Sequence, residues 1–247
     1  HKIELFDSTF YSDWSENEIK FNTSNKQYEP TDYEKFVKYK NDSVRESLIK
    51  KINIFKPDII FWSALSSHIH GEGEYVNIQY GYELLKNLNL DAVLVTGGIQ
   101  ATASPKTILD RYPKINYLIS GESEFILNLI ANKIKNKNEI EEIDGLSFKK
   151  GDLFVKNKPQ KLINNLDDIP FYDYEIFEDQ TFFRPYNGKV VRAVDYEMSR
   201  GCIYTCSYCV ETVIQKHYGF DEKTPRGALR EAKKYLRNKS AERVYSE

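Results

Sequence analysis

The segment Asp91-Ala92-Val93-Leu94-Val95-Thr96-Gly97-Gly98-Ile99-Gln100 decides the architecture. Its apolar residues run unbroken from Ala92 to Val95, and a hydroxyl residue and two glycines close the run. A short unbroken run marks a strand covered on both faces, as in a parallel sheet; a strand with one wet face alternates instead. The unit recurs on both sides. Upstream, Ile59-Ile60-Phe61-Trp62 ends in Ser63-Ala64-Leu65-Ser66-Ser67; downstream, Tyr117-Leu118-Ile119 ends in Ser120-Gly121-Glu122. Between the first two runs, Tyr75, Ile78, Tyr82, Leu85 and Leu88 keep helical spacing. After the second, Ser104-Pro105 predicts an N-cap followed by proline at the first helical position. Phe125, Leu129 and Ile134 mark a helix after the third. Strand, polar or glycine turn, amphipathic helix, repeated, predicts an α/β fold built on a doubly wound parallel sheet. Ligands of such sheets bind beyond the carboxyl ends of the strands. Ser63 to Ser67, Thr96 to Gln100 and Gly121 to Glu124 therefore form a candidate binding edge. Strand ends need turn residues in any case, which is the competing account of each tip taken alone.

Further outward the signals change. Lys2-Ile3-Glu4-Leu5-Phe6-Asp7 alternates and predicts a strand. Val44, Leu48 and Ile52 predict a helix from about Asp42 to Phe55, stopped by Lys56-Pro57-Asp58. Leu146-Ser147-Phe148 and Leu153-Phe154-Val155 flank Lys149-Lys150-Gly151-Asp152, a hairpin signal. Ile169-Pro170-Phe171-Tyr172-Asp173-Tyr174 reads as a linker. Val190 to Met198 reads as a strand leading into a cysteine loop, and the segment from about Thr224 reads as a basic helix.

The 247 residues allow one large domain or two modest ones, and 40% hydrophobic content supports a buried core. A net charge of −2 gives no global field for nucleic acid or anionic lipid. No apolar run reaches membrane-spanning length and no signal peptide opens the chain, so a cytoplasmic protein is expected. The three cysteines, an odd count within eight residues, make a poor disulfide framework and suit a metal site in a reducing compartment.

The loop reads Met198-Ser199-Arg200-Gly201-Cys202-Ile203-Tyr204-Thr205-Cys206-Ser207-Tyr208-Cys209. Thiolates are the ligands that iron–sulfur clusters select. Three thiolates on a four-iron cubane leave one iron open for a substrate, and this spacing allows three sulfurs to face inward from one stretch of backbone. Zinc is the rival: it usually takes four ligands, with His217 the one candidate nearby. Cys202-x-x-x-Cys206-x-Tyr208-Cys209 resembles the signature of the radical S-adenosylmethionine (SAM) enzymes. The resemblance implies a [4Fe–4S] cluster on Cys202, Cys206 and Cys209, SAM chelated at the open iron, and the Tyr208 backbone beside the adenine. It also implies an electron donor such as flavodoxin or ferredoxin. An electron from the cluster would cleave SAM to methionine and a 5′-deoxyadenosyl radical.

The front of the chain resembles the cobalamin-binding domains found ahead of such loops. Ser63-x-Leu65, Gly97-Gly98 and Gly121-Glu122-Ser123-Glu124 carry that resemblance, and Ser63, Leu65, Ser67, Thr96, Gly97, Gly98, Gly121 and Glu122 are the implied cobalamin contacts. Glycines let backbone approach a large flat ligand, and small hydroxyls can bond its buried tail. The linker Ile169 to Phe177 and Arg184-Pro185-Tyr186-Asn187-Gly188 resemble the same two-domain family. The Asp-x-His-x-x-Gly loop that supplies a histidine to cobalt in other cobalamin domains does not occur; His68 and His70 stand near the edge as loop histidines.

The expected division is thus 1–140, a cobalamin-binding, Rossmann-like domain lacking its first strand and helix; 141–188, hairpin and linker; and 189–247, the start of a radical SAM (β/α) partial TIM barrel. The chain is expected to be a piece of a longer protein, inactive by itself. The implied function is cobalamin-dependent methylation of an unactivated carbon in a small molecule, with no specific catalytic side chain assigned. Alternatives are a radical SAM cyclase or rearrangement enzyme, an RNA-modifying enzyme using Lys223, Arg226, Arg230, Lys233, Lys234 and Arg237, and a non-catalytic cobalamin module. Neither membrane nor nucleic acid is an expected partner.

Overall fold

The computed structural model describes residues 1–13, 32–63, 76–220 and 234–247. In chain order the elements that matter begin with α1 (Val44–Phe55), β1 (Ile59–Ser63), α2 (Val76–Leu85), β2 (Val93–Gly97), α3 (Ile99–Ala103) and α4 (Pro105–Arg111). There follow β3 (Tyr117–Ile119), α5 (Glu124–Lys135), β4 (Leu146–Lys150), β5 (Leu153–Lys156), β6 (Phe183–Tyr186) and β7 (Lys189–Arg192). The last are β8 (Ser199–Arg200), α6 (Val210–His217), β9 (Arg237–Asn238) and α7 (Ala241–Ser246). The chain divides into two compact units, one of His1–Lys56 with Phe171–Tyr196, the other of Pro57–Pro170 with Glu197–Glu247. One crossing between them lies at Pro170 and Phe171, inside the expected linker.

The larger unit is an α/β layer. Its sheet has the order β1-β2-β3-β4-β5. β1, β2 and β3 are parallel, as their unbroken apolar runs require, and β4 and β5 continue the sheet antiparallel. The hairpin expected within 141–188 is thus part of the main sheet. Adjacent residues of β3 face opposite sides, so two cores form. Leu118 lies with Ile78 and Tyr82 of α2 and with Ile108 and Leu109 of α4. Ile119 lies with Val95, Leu146 and the α5 residues Ile126 and Ile130. Helices therefore cover both faces. Gly81 of α2 stands against the Trp62 indole, where any Cβ would overlap the ring, and Trp62 Nε1 donates to Ile78 O at 3.3 Å.

Some expectations are corrected here. Phe125 and Leu129 do not face the core: Ile126 and Ile130, one position on, are fully buried. Ser104 occupies the N-cap of α4 ahead of Pro105, but its side chain makes no capping bond. The short helix α3, directly after Gly98, was not foreseen. Val190 to Met198 is not one strand either. Lys189–Arg192 pairs antiparallel with Phe183–Tyr186 across an Asn187-Gly188 turn, both residues at positive φ, so this stretch closes a hairpin of the smaller unit. The strand that enters the cysteine loop is Ser199–Arg200, paired antiparallel with Arg237–Asn238.

In the smaller unit, α1 starts from an N-cap serine: Ser43 Oγ accepts the Glu46 N–H at 3.5 Å. It ends where Lys56 turns left-handed with its N–H on Ile52 O. Lys2 to Asp7 forms no strand. Ile3 is 79% exposed, and alternation without a neighbouring sheet edge leaves an extended segment unpaired. Tyr174 and Phe177 meet Phe182 edge to face about the turn that precedes β6, and Lys40 pairs with Glu178.

Candidate functional site

The parallel register Ser63↔Gly97↔Ile119 ends β1, β2 and β3 side by side, at the edge where binding is expected. Its residues differ in what they present. Ser63 is exposed at the tip of β1. Leu65 and Ser67, with His68 and His70, lie outside the described residues. Thr96 is fully buried and its Oγ1 donates to Trp62 O at 2.6 Å, which ties β2 to β1. Gly97 is buried, and a Cβ there would stand 3.1 Å from Ile119 Cβ, so its smallness serves strand packing. Gly98 has φ 119° and ψ −166°, a conformation open in practice to glycine alone, and its carbonyl accepts both the N–H and the Oγ1 of Thr102.

The turn after β3 meets the segment that carries the cysteines. The Gly121 N–H donates to Thr102 Oγ1 at 2.7 Å, and the Glu122 N–H donates to Tyr218 Oη at 2.8 Å. Gly121 has φ 94°, and a Cβ would overlap the Tyr218 hydroxyl, so glycine is required twice over. The Glu122 carboxylate accepts from Arg200 Nη1 at 3.2 Å, from Arg237 Nη1 at 2.8 Å and from the Ile163 N–H at 2.9 Å. Arg200 also donates through Nε to Glu197 at 2.7 Å and through Nη2 to Glu124. The side chains of Arg200, Arg237 and Glu122 are no more than 16% exposed. Deleting one partner of such a pair strands a buried charge, at about 3–5 kcal/mol. None of these contacts is visible as a motif. Glu122 and Arg200 stand 78 positions apart, and a lone arginine before Gly-Cys is the only local hint.

The loop itself is held by α6, which packs on α3. The buried Gln215 donates through Nε2 to the carbonyls of Cys202 and Tyr204, at 2.8 and 3.0 Å, and Thr212 Oγ1 donates to Cys206 O at 2.9 Å. Gly201, at φ 92°, passes so close to the Tyr235 carbonyl that a Cβ would overlap it. Cys209 is the N-cap residue of α6. Cys202, Cys206 and Cys209 are all free and partly exposed. In type and spacing the donors fit an iron–sulfur cluster. The sulfurs do not converge as expected, however: among the described residues no three His, Cys, Asp or Glu side chains are grouped to hold a metal. Cys202 Sγ instead accepts the Tyr204 N–H at 3.4 Å, and Cys206 is engaged by the Tyr208 hydroxyl. Tyr208 is 90% exposed, and that bond to Cys206 raises its hydroxyl.

Electrostatics follow burial. Burial works against the charge on Arg200, but Glu124 and Glu197 outweigh it and hold the guanidinium above its ordinary value. Burial, then the Glu122 charge, pushes the Tyr218 hydroxyl up to about 12. The Tyr235 hydroxyl is raised by burial and by Glu211, which accepts from it at 3.0 Å. Arg237, one of the six basic residues considered for RNA, is buried against Glu122 and offers no charge to solvent; of the others only Lys234 is described, and it is exposed.

An α/β sheet whose carboxyl edge meets a Cys-x3-Cys-x2-Cys loop defines a class, and the chain is similar to proteins of that class. No protein-family profile matches it. The anaerobic magnesium-protoporphyrin IX monomethyl ester cyclase of Cereibacter sphaeroides is 29% identical over 192 residues, which is 76% of this chain and 30% of that protein. The cobalamin-dependent radical SAM methyltransferase TokK of Streptomyces tokunonensis is 24% identical over 158 residues, 63% of this chain and 22% of that protein. The radical SAM methyltransferase TsrM of Kitasatospora setae, solved with cobalamin and a [4Fe–4S] cluster, shares the fold. Its TM-score is 0.53 at 19% identity, over 83% of this chain and 37% of that one. The chain is thus similar in sequence to that cyclase and to TokK and in fold to TsrM, and it spans about a third of the length of the curated relatives first matched. Among the described residues no helix is long and apolar enough to cross a membrane.

Proposed function

We propose that this chain carries the cobalamin edge and the cluster loop of a radical SAM enzyme that methylates an unactivated carbon of a small molecule. The supporting observation is the meeting, within one compact unit, of the sheet edge at Ser63, Gly97-Gly98 and Gly121 with the segment bearing Cys202, Cys206 and Cys209. In this reading residues 57–156 hold cobalamin and residues 197–247 begin the SAM-binding part. The three thiolates would hold a [4Fe–4S] cluster, which supplies the electron that cleaves SAM. The chain's own work is positioning. Gln215 and Thr212 fix the loop backbone, the Tyr208 backbone borders the adenine, and the glycine edge admits the corrin and its tail. A soluble electron donor of the flavodoxin or ferredoxin kind reduces the cluster, in the cytoplasm. Cyclisation is the second reading, favoured by the similarity to the Cereibacter cyclase.

Hydroxocobalamin titration tests the edge. Ser63→Trp and Gly98→Leu both fill space there, and each should weaken cobalamin binding by about tenfold or more. Gly98→Leu also strains the backbone, so Ser63→Trp is the cleaner probe. Unchanged affinity in Ser63→Trp, with the far-UV spectrum of the wild type, would put cobalamin elsewhere.

A further inference from the structure

We propose that Glu122 is a positioning residue for the cysteine loop, acting through Arg200, and that it makes no contact with cobalamin. The inference rests on the cobalamin and cluster reading above and assigns a different task to one residue of the expected edge. Glu122 has little left for a ligand. Its Oε1 accepts from Arg200 Nη1 and Arg237 Nη1, its Oε2 accepts from Arg237 Nη1 at 3.1 Å and from the Ile163 N–H, and its own N–H is taken by Tyr218. Three donors, Arg200, Arg237 and the Ile163 N–H, with the Arg237 bond shared between both oxygens, thus occupy most of a carboxylate's roughly four lone-pair sites.

Arg200 is as fully committed. Nε, Nη1 and Nη2 each bond a different carboxylate, Glu197, Glu122 and Glu124. A planar guanidinium held along three directions has one orientation, which a lysine ammonium cannot reproduce. One peptide beyond it lies Gly201, wedged beneath the Tyr235 carbonyl, and then Cys202. Arg237 ties the same carboxylate to the partner strand β9 and, through Nη1, to Ile163 O at 2.6 Å. Glu122 thus joins the turn after β3 to both strands of the small ladder from which the loop departs. The first cluster ligand takes its place from the sheet edge, although sequence separates them by 80 residues of chain, from Glu122 to Cys202.

The test uses the full-length protein, reconstituted anaerobically with iron and sulfide. Glu122→Gln keeps the shape and removes the charge. The expected result is hydroxocobalamin affinity within about twofold of wild type, with retained iron reduced by about threefold or more. The EPR line shape of the reduced cluster should change, a signature that general loss of folded protein does not give; Glu122→Asp should restore part of it. Weaker cobalamin binding with an unaltered EPR spectrum would make Glu122 a cobalamin contact and overturn the proposal, as would no change in either readout. Should Glu122→Gln fail to fold, Arg200→Lys, which keeps the charge and loses the fork, must show the same EPR change; an unaltered spectrum there overturns it equally. A wild-type protein that binds neither cluster nor cobalamin sinks the functional reading itself, before any variant is compared.

Discussion

His217 closes α6 beside Gly121, where two influences compete. A helix C-terminus favours imidazolium. Burial opposes it and dominates, the Lys156 charge adds to the opposition, and a bond with the Ser120 backbone offsets only part, so the histidine titrates below its ordinary value of 6.5. The unfolded chain then binds the proton more readily. His217 contributes stability above its ordinary value, and that contribution is lost as pH falls through the lowered folded value. Thermal stability of the cofactor-free protein should fall between about pH 7 and pH 5, and His217→Gln should flatten that slope. An identical slope in the variant would assign the acid sensitivity to other groups. The cysteines were legible at this scale because their spacing is local. Glu122 and Arg200 were not, because a carboxylate's partner 78 positions away leaves no local pattern.

Among the elements, α5 shows how far periodicity carries. Its helical spacing is plain, but Phe125 and Leu129 compete with Ile126, Ile130 and Ile134 for the inward face, and all are apolar. The sheet chooses Ile126 and Ile130 because they meet Ile119 and Leu146, while Leu129 stays 44% exposed. Ile130→Ala should cost about 3 kcal/mol in denaturant unfolding, within the usual range for a fully buried isoleucine, and Leu129→Ala less than about 1. Equal costs would restore the face first expected. The strands β2 and β3 were legible for the reason α5 was not: burial on both faces leaves no choice of face to misread, while β1, with Phe61 38% exposed, was legible from its unbroken apolar run. The Asn187-Gly188 turn carried a usable hairpin signal, obscured by the apolar run Val190-Val191 behind it. In Lys2 to Asp7 the alternation was real, but pairing depends on a sheet edge that sequence cannot supply.

For the whole molecule, a parallel sheet brings two proposed sites together: the edge at the strand ends, and a three-cysteine loop docked on it by α3, α6 and the Glu122 ion pairs. Each is weak evidence of function alone, since strand tips need turn residues and surface cysteines need no metal. Their contact in one compact unit is what gives the pair meaning. The most direct test is EPR of the full-length protein after anaerobic reconstitution and reduction, with SAM present and products assayed. The account predicts a [4Fe–4S] signal that shifts when SAM is added, with 5′-deoxyadenosine formed, and loss of both in Cys206→Ala. A native zinc site, or a full cluster retained in Cys206→Ala, would contradict it.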